Sequence, residues 1–97
     1  MKSAGFLLHY CPQGDGQIRG ARLGITVAKR FLRRSVDRNL IRRLIREVFR
    51  KELPRLPAYD LIIRLSVKPT LPLDRQVITT EIMGLLNRLL TISGGKP

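Results

Sequence analysis

The chain has a single cysteine, Cys11, and a single histidine, His9. A disulfide framework, a cysteine-rich zinc site and a Ser-His-Asp or Cys-His catalytic pair therefore lack their parts. Cys11 reads as an ordinary strand residue. Acidic side chains are scarce too: 7 Asp and Glu are dispersed over 97 residues, with no cluster of carboxylates to bind a catalytic metal or activate water. The chain is thus expected to have no catalytic residues, no metal ligands, no cofactor of its own and no small-molecule substrate. No apolar run is long enough to span a bilayer, and no segment has the hydrophobic stretch and small-residue cleavage site of a signal peptide. The expectation is a cytoplasmic protein with no membrane partner. Internal repeats and low-complexity segments are also missing.

What is abundant is positive charge. Lys and Arg number 19, the formal net charge is +12 and the sequence pI is about 11.5. This exceeds what solubility requires and implies a polyanionic partner. The length fits one domain, residues 1–97, with a modest core.

Hydrophobic patterning places the elements. Phe6 to Cys11 (FLLHYC) reads as a first strand, ended by Pro12 and a turn-rich QGDGQIRG stretch that is a hairpin loop or a short irregular connection. Arg22 to Lys29 alternates Leu23, Ile25 and Val27 against Gly24, Thr26 and Ala28, the pattern of a half-buried strand. Ser35 is a suitable N-cap, and Asp37 suits the first turn of a helix running to about Leu53, where Pro54 and Pro57 stop it. Tyr59 to Leu65 (YDLIIRL) is nearly continuously apolar, as for a strand buried within a sheet. From Leu73 to about Ile92, the residues Leu73, Val77, Ile78, Ile82, Leu85, Leu86, Leu89 and Leu90 form a helical stripe, weakened slightly by Gly84 and ended by Gly94 and Gly95. Strand, strand, helix, strand, helix predicts an α+β fold: a two-layer α/β sandwich in which helices pack on one side of a small sheet.

The first helix carries the strongest signal. Counting about 100° per residue from Arg38 gathers Leu40, Leu44, Val48, Ile41, Ile45 and Phe49 on one half. The other half holds Arg38, Arg42, Arg46, Asn39, Arg50 and Arg43, with Glu47 at its edge. Between positions 29 and 51 ten cations face only Asp37 and Glu47. A merely solvated face interleaves both signs at i, i+4 spacing, whereas Arg38, Arg42 and Arg46 repel one another along one stripe. An anionic partner must relieve that repulsion. Arginine dominates the segment, and its planar fork suits bidentate phosphate contacts and base stacking.

The second strand offers a floor for a groove beside this helix, because Gly24, Thr26 and Ala28 allow close backbone approach and Arg22 and Arg30 bracket its ends. The same small residues equally fit a face turned to solvent or to a packed helix. His9 and Tyr10 point to opposite faces of the first strand, so one of them can offer a ring for base stacking.

The run RLGITVAKRFLRRSVDRNLIRRLIREVFR, Arg22 to Arg50, closely resembles the signature of the protein subunit of bacterial ribonuclease P. Ala28-Lys29-Arg30 matches the family's strand-ending basic sequence. Arg38-Asn39 matches the motif that opens its basic helix, and Arg42-Arg43 and Arg46-Glu47 match the family's Lys/Arg-Arg and Arg-Glu pairs further along that helix. The YDLIIRL strand and the leucine-rich closing helix also fall where the family places them. Two features depart: Leu40 stands where the motif has a second arginine, and the chain starts almost at the first strand, where the family has a further basic segment and a short helix. The resemblance implies that this helix, which helps to form the cleft for the single-stranded 5′ leader of precursor tRNA, has been lost by N-terminal truncation.

The resemblance further implies a mixed sheet with a left-handed βαβ crossover, the fold type named for the second domain of ribosomal protein S5. It implies an accessory subunit of an endonuclease that removes the 5′ leader, with a large RNA subunit and its bound Mg²⁺ performing the hydrolysis and the protein broadening substrate binding. The partners are then the ribonuclease P RNA and precursor tRNA. Arg38, Asn39, Arg42, Arg43 and Arg46 would hold the RNA subunit. Lys29, Arg30 and a cleft of His9, Gly24, Thr26 and Ala28 would face the leader, and Arg33 and Arg34 would serve either surface. The alternatives are a structural ribosomal protein, which composition alone does not separate, and a DNA-binding regulator. The second is disfavoured because the exposed helix face offers arginines and one asparagine but little else to read bases.

Overall fold

The computed structural model describes residues 1–13 and 20–94. Strand β1 spans Phe6–Pro12, β2 Arg22–Thr26, helix α1 Ser35–Glu52, β3 Tyr59–Leu65 and α2 Arg75–Gly94; a single 3-10 turn, Leu53–Arg55, carries Pro54 and closes α1. β3 is central in the order β1-β3-β2, antiparallel to β1 and parallel to β2. The expected small mixed sheet with both helices on one face is what forms. β1 and β2 are not neighbours in the sheet and so do not pair as the arms of a hairpin; residues 14–19 of the turn-rich stretch lie outside the described residues.

Strand periodicity selects the buried face. Phe6 and Leu8 of β1 and Leu61, Ile63 and Leu65 of β3 turn towards the helices and are buried, with Leu23 and Ile25 of β2 packed against them. Helix α1 contributes Ile41, Leu44, Ile45 and Val48, and α2 contributes Ile78, Ile82, Leu85, Leu86 and Leu89. Truncating one of these large side chains to alanine costs about 2–5 kcal/mol in a close-packed core.

Several expectations change in detail. β3 is not buried on both faces: Ile62 is 47% exposed and Arg64 is exposed, because among the described residues no layer covers that side of the sheet. β2 ends at Thr26 rather than Lys29, since the Ala28 carbonyl accepts the Phe31 and Leu32 amides and turns the chain away. Ser35 is the first helical residue of α1, not its cap. Arg34 occupies the cap position in extended conformation, without a side-chain cap. The entry is held instead by Arg38, whose Nη1 donates to the Leu32 carbonyl at 2.9 Å and the Arg33 carbonyl at 2.8 Å. α2 starts at Arg75, two residues later than expected, because Asp74 Oδ1 accepts the Gln76 and Val77 amides and caps it. Val77 leaves the expected apolar stripe and is 52% exposed. Helix α2 runs through Gly84.

Candidate nucleic-acid interface

Two surfaces converge on the chain's positive charge. The first is the outward half of α1. The inward half carries the buried leucines and isoleucines, so packing against the sheet leaves Asn39, Arg43, Arg46 and Arg50 exposed and Arg38 and Arg42 half-buried at the boundary. Among the described residues the ion pairs are Arg22 with Asp60 and Arg55 with Glu52, so the ridge arginines have no carboxylate partner. Arg38 bonds the loop carbonyls, and Arg42 Nη1 donates to Asn39 Oδ1 at 3.2 Å. Most of the N–H donors on this ridge are therefore available to an anionic ligand.

The ridge borders a depression of about 730 Å³ lined by Val36, Asp37, Asn39, Leu40, Arg42, Arg43, Arg46 and Arg75. Leu40 sits half-buried at the edge of the apolar face, which leaves part of it to line this depression. Arg75 comes from α2 and is brought here by the packing of the two helices. Nothing local in the sequence marks it.

The second surface is the uncovered face of the sheet. The register aligns Leu7, Arg64 and Thr26 in one row, His9, Ile62 and Gly24 in the next, and Cys11, Asp60 and Arg22 in the third. His9, Gly24 and Thr26 thus share one face, as expected, and His9 rather than Tyr10 is the ring presented there. Tyr10 lies on the other face, with its ring 5.9 Å from that of Tyr59. A Cβ built on Gly24 would meet only Ile62 Cγ1 at 3.6 Å and the Leu61 carbonyl at 3.9 Å, so the fold does not demand glycine there. What the missing side chain does is keep the middle of the face low. Ala28 is not part of this face; it forms the turn after β2. Arg64 and Ile62 belong to the face although the sequence pattern does not single them out; the alternation of Asp60, Ile62 and Arg64 is the signal that could have found them.

At one end of the face Arg22 grips Asp60 through two parallel bonds, Nε to Oδ1 at 2.8 Å and Nη2 to Oδ2 at 2.9 Å. Gln13 Nε2 adds a bond to the same Oδ1 at 3.1 Å. The hydrogen bonds from Arg22 hold the Asp60 carboxyl below its usual range, and the same pairing raises the Arg22 guanidinium. Arg22 is therefore occupied, and Arg64 is the arginine of this face without a carboxylate partner among the described residues. Between the two surfaces runs the connector from β2 to α1. Lys29, Arg30, Arg33 and Arg34 are all exposed on it, with the Arg30 guanidinium 4.8 Å from the centre of the Phe31 ring.

Among the described residues no helix is long and apolar enough to cross a membrane, and no three His, Cys, Asp or Glu side chains come together as a metal site. Comparison with known proteins identifies the arrangement. The family described as Ribonuclease P matches residues 1–90. The ribonuclease P protein component of Azoarcus sp. is 40% identical over 84 residues, 87% of this chain and 67% of that protein. That of Aromatoleum aromaticum is also 40% identical, over 83 residues, 86% of this chain and 66% of its own length. The chain thus spans about two thirds of the length of these relatives. The Staphylococcus aureus RNase P protein structure superposes with a TM-score of 0.75 at 28% identity, covering 96% of this chain and 78% of that one. The basic helix, the uncovered mixed sheet and these matches have one common meaning: the chain belongs to the ribonuclease P protein family.

Proposed function

We propose that this chain binds the RNA subunit of ribonuclease P through α1 and assists that RNA in endonucleolytic removal of the 5′ leader from precursor tRNA. The observation that carries the reading is the ridge of Asn39, Arg42, Arg43, Arg46 and Arg50, left without carboxylate partners by the packing of α1. Its repulsion is relieved when phosphates take the place of counterions. In this reading Arg38 has two roles: it fixes the loop that presents Arg33 and Arg34, and it turns its remaining donors outwards.

The uncovered sheet is the proposed track for the leader. An extended single strand lies over Gly24 and Thr26, its phosphates reach Arg64 and the exposed Lys29, and the His9 ring offers a stacking surface. Hydrolysis belongs to the RNA subunit and its bound Mg²⁺; the protein adds positive charge and substrate grip. A bacterial ribonuclease P RNA at low Mg²⁺ should cleave precursor tRNA faster when this protein is added. Absence of stimulation, with tight binding to ribosomal RNA instead, rejects the proposal.

A further inference from the structure

Beyond the α1 ridge, one cation in the depression comes from elsewhere in the chain. Arg75, the first residue of α2, faces the same space as Arg42, Arg43 and Arg46. It is exposed and has no hydrogen-bond or ion-pair partner among the described residues. The neighbouring Asp74 makes no ion pair with it; its Oδ1 accepts the Gln76 and Val77 amides and caps α2. The lining therefore sets four guanidiniums against the single Asp37 carboxylate, with Val36, 57% exposed, and Leu40 as apolar floor. A volume of about 730 Å³ falls within the ~300–1,000 Å³ typical of small-ligand sites. That combination fits a nucleotide unit turned out of a folded RNA, its sugar or base on the apolar floor and its phosphate between the two helices.

We propose that Arg75 is an RNA-binding residue that closes this depression around a phosphate of the RNA subunit. It supplies from α2 the guanidinium that Leu40 does not supply from α1. The inference rests on the proposal that α1 binds that RNA, and it goes further by making the site a two-helix clamp rather than one helix face. Leu40 then has a purpose: an arginine there and Arg75 would crowd two like charges into one depression, whereas leucine leaves an apolar surface under the ligand.

The test measures binding of the full chain to a bacterial ribonuclease P RNA transcript across a salt series, comparing Arg75→Ala, Arg88→Ala, Leu40→Arg with Arg75→Ala, and Arg42→Glu with Arg46→Glu. Arg88→Ala removes the same charge from outside the depression. Arg75→Ala should weaken binding about fivefold to tenfold and lower the log-log salt slope by roughly 0.7 to 0.9, the loss of one phosphate contact. Adding Leu40→Arg should restore most of both. If Arg75→Ala behaves like Arg88→Ala, or Leu40→Arg restores nothing, the clamp is wrong even though α1 binds RNA. If the Arg42 and Arg46 reversals also leave affinity unchanged, it is the underlying reading of α1 that fails.

Discussion

The α1 ridge and the uncovered sheet face are both exposed and both lie where RNA is proposed to bind, yet they are built by opposite means. The ridge is made by a single element. Its arginines recur at three- and four-residue spacing, and burying Ile41, Leu44, Ile45 and Val48 necessarily turns them outwards. The sheet face is assembled from three strands far apart in the chain, and its members meet only because β3 pairs with β1 and β2 in one register. The ridge is dense in charge and nearly unpaired. The sheet face is sparse, holds its Arg22 in an ion pair and keeps a low centre at Gly24. One surface is suited to gripping a folded polyanion, the other to passing an extended strand.

The comparison breaks if damage to the ridge and damage to the sheet have the same effect. Arg42→Glu with Arg46→Glu should reduce affinity for the RNA subunit on the order of 100-fold, about 2.7 kcal/mol, read by filter binding at fixed salt. The salt slope should fall by roughly 1.4 to 1.8, two phosphate contacts. Gly24→Val should behave differently. The ordinary contacts around the added Cβ let the fold persist, so binding to the RNA subunit should stay within about twofold while affinity for precursor tRNA falls roughly tenfold, ~1.4 kcal/mol. Mature tRNA, which has no leader, should bind as before. Equal losses for both tRNAs would remove the leader from the sheet face.

Arg38 sharpens the contrast from within the ridge. Because its Nη1 holds two loop carbonyls, Arg38→Ala should destabilise the fold by about 1–2 kcal/mol, seen as a lower midpoint in urea. Arg42→Ala should leave that midpoint nearly unmoved. The smallest effect belongs to the Arg22–Asp60 pair. Asp60 is held below its usual value in the folded state, so its stabilisation is complete above the unfolded carboxyl pKa of about 3.9 and is lost as pH falls from there through the folded value. Both partners are solvent-exposed, so the effect is small and salt-sensitive. Asp60→Asn should lower the thermal midpoint slightly at pH 7, where the pair is intact, and flatten its pH dependence below about pH 4, so that variant and parent converge in acid.

Much of this is legible along the chain. The period of α1 contains its own division into core and ridge, and its charge imbalance needs no partner element to be recognised. The alternations in β1 and β2 identify their inner and outer residues. In β3 the apolar look of YDLIIRL conceals the same alternation, because an isoleucine at position 62 stands on the uncovered side. The cap of α1 escapes sequence reading for a local reason: Ser35 has a suitable side chain, but the backbone turns one residue earlier, which puts Arg34 at the cap position and Ser35 inside the helix. The turn-rich stretch fits a hairpin loop or a short irregular connection equally, and only the insertion of β3 between β1 and β2 decides that the flanking strands do not pair.

By itself, the sequence determined the binding chemistry: a basic helix with one apolar face, a set of amphipathic strands and a scarcity of the groups needed for catalysis. These are properties of spacing and composition, which each segment carries wherever it is placed. Tertiary structure alone decided which strand is central, which sheet face is left open, that Arg22 is paired while Arg64 has no carboxylate partner among the described residues, and that Arg75 meets the α1 arginines. Those outcomes depend on burial of apolar surface between segments distant in the chain, and that energy is shared among elements, so no single segment encodes it.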